Sequence, residues 1–105
     1  MDSSCGRQAT GLDFRLDQKV DGLWNTVLRG EIGTRGCVLD FAPPHVRRAI
    51  HRLVFDVDRY FVTMGTSACY PEIVAVFLVR NEAETHRVCL ALSPYSYAAQ
   101  FTVDN

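Results

Sequence analysis

Three histidines, four cysteines and two closely spaced aspartates are where this chain could do chemistry. Cys69 closes the stretch Gly65-Thr66-Ser67-Ala68-Cys69 and is the candidate nucleophile. A thiol in that role needs a base beside it, and a cation or a helix N-terminus to hold the thiolate. His51 or His86 could supply the base, yet no Gly-x-Ser-x-Gly elbow and no cysteine-protease signature surrounds these residues. Cys69 therefore reads as a loop residue with no catalytic task. Metal binding fares no better, because ligands at short spacing are missing. His45 and His51 are separated by roughly 600° around a helix axis, which sets them on poorly matched faces. Asp56 and Asp58 likewise leave a helix in different directions and read as a solvated side. The Gly30-x-x-Gly33-x-x-Gly36 spacing with Arg35 inside it could form a backbone nest for an anion. Phosphate cradles run from a strand into a helix, however, and this segment is expected to run the other way, so it reads as a turn. No catalytic residue, no metal and no cofactor are expected.

The run Arg47-Arg48-Ala49-Ile50-His51-Arg52-Leu53 carries a second kind of chemistry. A guanidinium and an imidazole four residues apart on a helix can share a phosphate or flank a base. The pattern resembles the signature of the small α+β domains that are named for their Arg-x-x-x-His motif and bind single-stranded nucleic acid. The resemblance implies that Arg47 and His51 share one surface, with Arg48 and Arg52 as further contacts to nucleic acid or another anion.

Placing these residues requires a reading of the elements. Val20, Leu23, Trp24, Val27 and Leu28 recur at three- and four-residue steps, which predicts a helix over 17–29 with Gly30 as its C-cap. Val46, Ile50, Leu53, Val57 and Tyr60 predict a second helix over 44–62, started by proline and carrying Arg48, Arg52 and Arg59 on its outer face. Strands are expected at 14–16, at 37–41 before Pro43 and Pro44, at 72–80, at 86–92, and in the 95–103 segment. Residues 81–85 would join the third and fourth of these as a hairpin. The sum is an α+β domain over 13–105, in which two helices pack on a three- to four-stranded, mainly antiparallel sheet in the order (β)αβαββ(β). Residues 1–12 are expected to form a flexible tail.

Composition narrows the function classes. The chain is 48% hydrophobic and 22% charged with a net charge of −1, which excludes a disordered segment and provides no field to attract polyanions. Its longest apolar run, Ile73 to Val79, is far shorter than the ~20 residues of a membrane helix. Cys5, Cys37, Cys69 and Cys89 are scattered, and the first twenty residues lack the apolar core of a secretory signal. All four thiols are thus expected to be reduced, in a cytoplasmic or nuclear protein. Along 72–80 both strand faces are apolar, Val74, Val76 and Leu78 on one and Phe77 among those on the other. Two helices cover one face only, so an apolar face is left for an interface, flanked by Tyr95 and Tyr97. The resulting expectation is a non-enzymatic protein-interaction module (adaptor, regulator or complex subunit) that forms homodimers or docks on a partner protein through this face. Single-stranded nucleic-acid binding through Arg47, Arg48, His51 and Arg52 is the alternative, and no membrane partner is expected.

Overall fold

The computed structural model describes residues 11–32, 38–41, 47–81 and 83–104. The 17–29 segment is not a helix. It forms most of a hairpin between β1 (Asp13–Val20) and β2 (Leu23–Glu31). The cause is local: Asp21 and Gly22 both have positive φ, 51° and 78°. Two consecutive positive φ values make the tight turn whose twist matches that of antiparallel strands, and Asp-Gly is one of the pairs that adopts it readily. The apolar spacing that suggested a helix comes from residues on two strands. A register shift between Leu16 and Asp17 disturbs the simple alternation as well. Gly30 is a strand residue rather than a cap. A Cβ there would lie 2.9 Å from Cζ of Phe14, so the glycine is what lets that ring lie across β2.

The second expected helix is also mostly strand. β3 (Val38–Phe41) is followed by β4 (Ala49–Asp56), and among the described residues of that segment only α1 (Val57–Thr63) is helical. Along β4, His51, Leu53 and Phe55 are fully buried, while Ile50, Arg52 and Asp56 are more exposed. That alternation is the period of a strand. Both of its faces carry apolar residues, so a 3.6-residue period can also be drawn through them. Asp56 ends the strand and caps the helix, accepting from the backbone N–H of Arg59 at 3.3 Å. β5 (Glu72–Val79), β6 (Thr85–Leu92) and β7 (Tyr97–Asp104) complete the described chain.

Two antiparallel sheets face each other, in the orders β2-β1-β4-β5 and β3-β6-β7. The architecture is a mostly-β sandwich with one short helix among the described residues, which replaces the expected two helices on a single sheet. The strands foreseen around 72–80 and 86–92 exist, but they are not a hairpin. β5 pairs with β4, while β6 lies between β3 and β7 in the other sheet. The core fills the gap with Leu16 from β1, Leu53 and Phe55 from β4, Ile73 and Val79 from β5, and Val88 and Leu90 from β6. Val57 and Phe61 of α1 close one end. The expected tail lies, but for Gly11 and Leu12, outside the described residues. Leu12 is buried and its carbonyl accepts from the backbone N–H of Ile32, while the N–H of Gly11 donates to the Ile32 carbonyl.

The hairpin turn yields a direct test. Replacing Gly22 with alanine forces a side chain onto the left-handed backbone and should cost about 1–2 kcal/mol, read as a lower urea midpoint.

Candidate functional site

The outer face of the four-stranded sheet is organised by one carboxylate. Asp17, with its side chain 2% exposed, accepts from Nε of Arg52 at 2.7 Å, from Nε of Arg15 at 3.0 Å and from the Thr26 hydroxyl at 2.8 Å. Burial pushes its pKa up, but the hydrogen bonds from Arg52, Thr26 and Arg15 outweigh that and hold it below the ordinary 3.8. Arg52 in turn lies over the Trp24 ring, 4.4 Å from its centroid, and Lys19 approaches the same ring at 5.6 Å. A carboxylate so fully engaged is an anchor, not a base.

Between the sheets lie two buried imidazoles. His51 on β4 and His86 on β6 both contact the ring of Phe77, at centroid distances of 5.5 and 5.9 Å. The Ala49 carbonyl can only accept, so His51 donates to it from Nδ1 at 3.1 Å. Nε2 of each ring is buried without a hydrogen-bond partner among the described residues. Glu84 stands 3.9 Å from Nε2 of His86, too far for a hydrogen bond. Burial holds the pKa of His51 below the ordinary 6.5. The ring can take up a proton in chemical terms, but no solvent reaches it.

Two further polar assemblies are open to solvent. On the outer face of the three-stranded sheet, Arg87 of β6 meets Asp40 of β3 through two contacts, at 2.8 and 3.3 Å. Thr102 of β7 sits opposite Arg87 in register, and Gln100 opposite Cys89. At the α1 end of the larger sheet, a cleft of about 600 Å³ is lined by Arg15, Arg29, Asp56, Asp58, Glu72 and Val54 among others. No group of three or more histidine, cysteine or carboxylate ligands suited to a metal occurs among the described residues.

The sequence-derived residues fall into different places. Val74, Val76 and Leu78 are exposed on the outer side of β5, while Phe77 points inward to His51, His86 and Phe101. Tyr95 is exposed in the turn before β7, and Tyr97 begins that strand with its ring against Tyr70. The Arg-x-x-x-His surface does not exist. Arg47 and Arg48 precede β4, and within β4 His51 faces the core while Arg52 faces out. A strand puts neighbouring residues on opposite faces, so a helical motif loses its geometry there. His45, Arg35, Cys5 and Cys37 lie outside the described residues. Cys69 is a free, exposed thiol with Sγ 3.6 Å from the Tyr95 carbonyl. Cys89 is disulfide-bonded, which corrects the expectation of four reduced thiols. Missed altogether were the Asp17 anchor and the Asp40–Arg87 pair. The Asp21-Gly22 turn was the signal for the first, because it brings Asp17 opposite Thr26.

Known proteins resolve what this architecture belongs to. A family model described as HIUase/Transthyretin matches residues 1–100. The chain belongs to the HIUase/Transthyretin family. Within that family it is 29% identical over 100 residues to the 5-hydroxyisourate hydrolase of Mus musculus, covering 92% of this chain and 85% of that one. It is 27% identical over 99 residues to the enzyme of the same name from Salmonella typhimurium, covering 93% and 73%. The crystal structure of transthyretin from Sparus aurata superimposes with a TM-score of 0.80 at 20% identity, covering 92% and 86%. Sea bream transthyretin in complex with thyroxine gives 0.79 at 21%, covering 91% and 84%, and both likenesses concern the fold alone. The hydrolase relatives overturn the expectation of a non-enzymatic adaptor or regulator. That expectation rested on finding no local catalytic motif, and a sandwich draws its polar groups together from strands far apart in sequence. Nucleic-acid binding has no support. Family members typically form homo-oligomers, and among the described residues no helix is long and apolar enough to cross a membrane.

Two acid-side effects on stability are expected. The folded pKa of His51 is depressed, so its contribution is complete above the unfolded value of 6.5 and is lost as pH falls below it. His51→Phe should flatten the fall in urea midpoint between about pH 7.5 and about pH 5. The depressed pKa of Asp17 acts in the same direction in a lower window, with stability present above 3.8 and lost beneath it. Asp17→Asn should cost about 1.5–3 kcal/mol at neutral pH, since it removes charged hydrogen-bond acceptors while the partly exposed Arg15 and Arg52 can regain water.

Proposed function

We propose that the protein is a hydrolase that opens a ring of an oxidised, nitrogen-rich heterocycle of the 5-hydroxyisourate type, and that it works as a homo-oligomer. The observation that carries this reading is the match to enzymes of that name across more than nine-tenths of the chain.

Hydrolysis of a ring amide demands little of the protein. Water adds to the carbonyl carbon, so a base must take its proton and a donor must hold the oxygen that gains charge. Asp40 and Arg87 are a carboxylate and a guanidinium held side by side on an exposed sheet face. In the proposed mechanism Asp40 accepts the proton of water and Arg87 holds the developing oxyanion. The tetrahedral intermediate then collapses to the carboxylic acid product, the ring C–N bond breaks, and Asp40 returns its proton to the departing nitrogen. Thr102 and Gln100, on the neighbouring strand, offer hydrogen bonds to ring N–H and C=O groups. Ala91 and Ala98, opposite one another on the same face, leave room for a flat ring.

A sheet face is not a pocket, and a second copy laid against it would exclude water. The family habit of homo-oligomerisation supports that arrangement. Exposed apolar residues on two of the edge strands, Val74, Val76 and Leu78 on β5 and Tyr97 and Val103 on β7, offer a second copy further surface away from that face.

The test is the decay of 5-hydroxyisourate followed by ultraviolet absorbance. The protein should accelerate it, and Arg87→Ala should lower kcat by about 10²–10³-fold with circular dichroism unchanged. Decay no faster than the spontaneous rate removes the hydrolase reading. Light scattering should give a mass above that of one chain, and a monomeric mass at all accessible concentrations removes the shared site.

A further inference from the structure

The cleft at the α1 end of the larger sheet lies on the face remote from Asp40 and Arg87, and its charges are arranged unusually. Arg15 and Arg29 stand directly opposite each other on β1 and β2. Asp56 and Glu72 stand directly opposite each other on β4 and β5. Like charges in register across strands are unfavourable, and alternating the signs would have been the stabilising choice. Of the groups lining the cleft, Arg15 and Arg29 lie on β1 and β2 and Asp56 and Glu72 on β4 and β5, with Val54 opposite Arg15, while the one carboxylate on the cationic side, Asp13, is engaged by Arg59. Asp58 joins the acidic wall, and Arg59 reaches across the rim to Asp13 at 3.6 Å.

The groups on these walls have capacity to spare. Arg15 binds Asp17 through Nε, which leaves its two terminal nitrogens without a partner among the described residues. Arg29 and Glu72 have no ion-pair partner among the described residues either, and both are exposed. Two guanidinium groups side by side match a planar oxyanion. Two carboxylates side by side match an ammonium or guanidinium group. With strands about 4.8 Å apart, the centres of the two walls are on the order of 10 Å from each other, before the side chains reach inward. The cleft's volume of about 600 Å³ falls in the range of small-molecule sites.

We propose that this cleft binds a small zwitterion, with its carboxylate on Arg15 and Arg29, its cationic end on Asp56 and Glu72, and an aliphatic spacer over Val54. The site is independent of the hydrolase reading and is tested by binding alone.

The probe is 6-aminohexanoate, titrated into the full chain by calorimetry and by NMR shifts, with hexanoate and pentylamine as carriers of one charge each. Saturable binding of 6-aminohexanoate is expected, with each control at least about tenfold weaker, or ~1.4 kcal/mol per missing charge. Arg29→Ala and Glu72→Gln should each weaken it by a similar factor, and both positions are exposed, so the fold should be unaffected. Absence of saturable binding overturns the proposal. So does equal affinity for hexanoate, or an affinity unchanged in Arg29→Ala.

Discussion

A carboxylate withdrawn from water must be saturated with donors or it will not stay charged, and Asp17 meets that condition with three neighbours on three strands. Arg15 comes from its own strand, Thr26 from β2 and Arg52 from β4. The carboxylate is thus a pin through the middle of the larger sheet, at the point where the register between β1 and β2 shifts. A slip of one residue on either side would move Asp17 away from Thr26 or Arg52 and take a donor from a buried charge. By fixing the register, the same pin decides that Arg15 faces Arg29 and that β4 presents Arg52 outward and His51 inward. The charged cleft and the buried imidazoles are both consequences of where this single acid sits.

Much of the strand content of the second half could be read from residues alone. The apolar run from Ile73 to Val79 and the nearly continuous apolar run in His86–Leu92 each specify a strand wherever they are paired. Their pairing could not be read, because nothing in a short connecting segment says whether the chain turns back in the same sheet or crosses to the facing one. In the first half the error had a specific source. Val20 belongs to β1 and Leu23, Trp24, Val27 and Leu28 belong to β2, joined by Asp21-Gly22, and counting them as one periodic series hid the turn. β4 deceives for another reason: Ile50 and Val54 on its outer side are as apolar as Leu53 and Phe55 on its inner side, so periodicity alone does not separate strand from helix.

The function was illegible for a related reason. Local motifs reveal sites whose groups lie close in sequence, as in a metal-binding helix or a phosphate loop. Asp40 and Arg87 are 47 residues apart and become neighbours only when β3 pairs with β6. Arg15 and Glu72 are brought to one cleft by four strands. His51 misled in the opposite sense, since its neighbours in sequence suggested a surface motif while its neighbours in space are Phe77 and the core.

The crossing of the chain between sheets also shapes how the molecule assembles. The β1–β2 and β6–β7 pairs join segments adjacent in sequence and can form early, because closing a short loop costs little entropy. The pairing of β3 with β6 closes a far longer loop, and such non-local contacts are what slow the folding of β-sandwiches. The Asp40–Arg87 contact can form only once that loop has closed, so it adds nothing to the local hairpins and ties the segment before β4 to the last third of the chain.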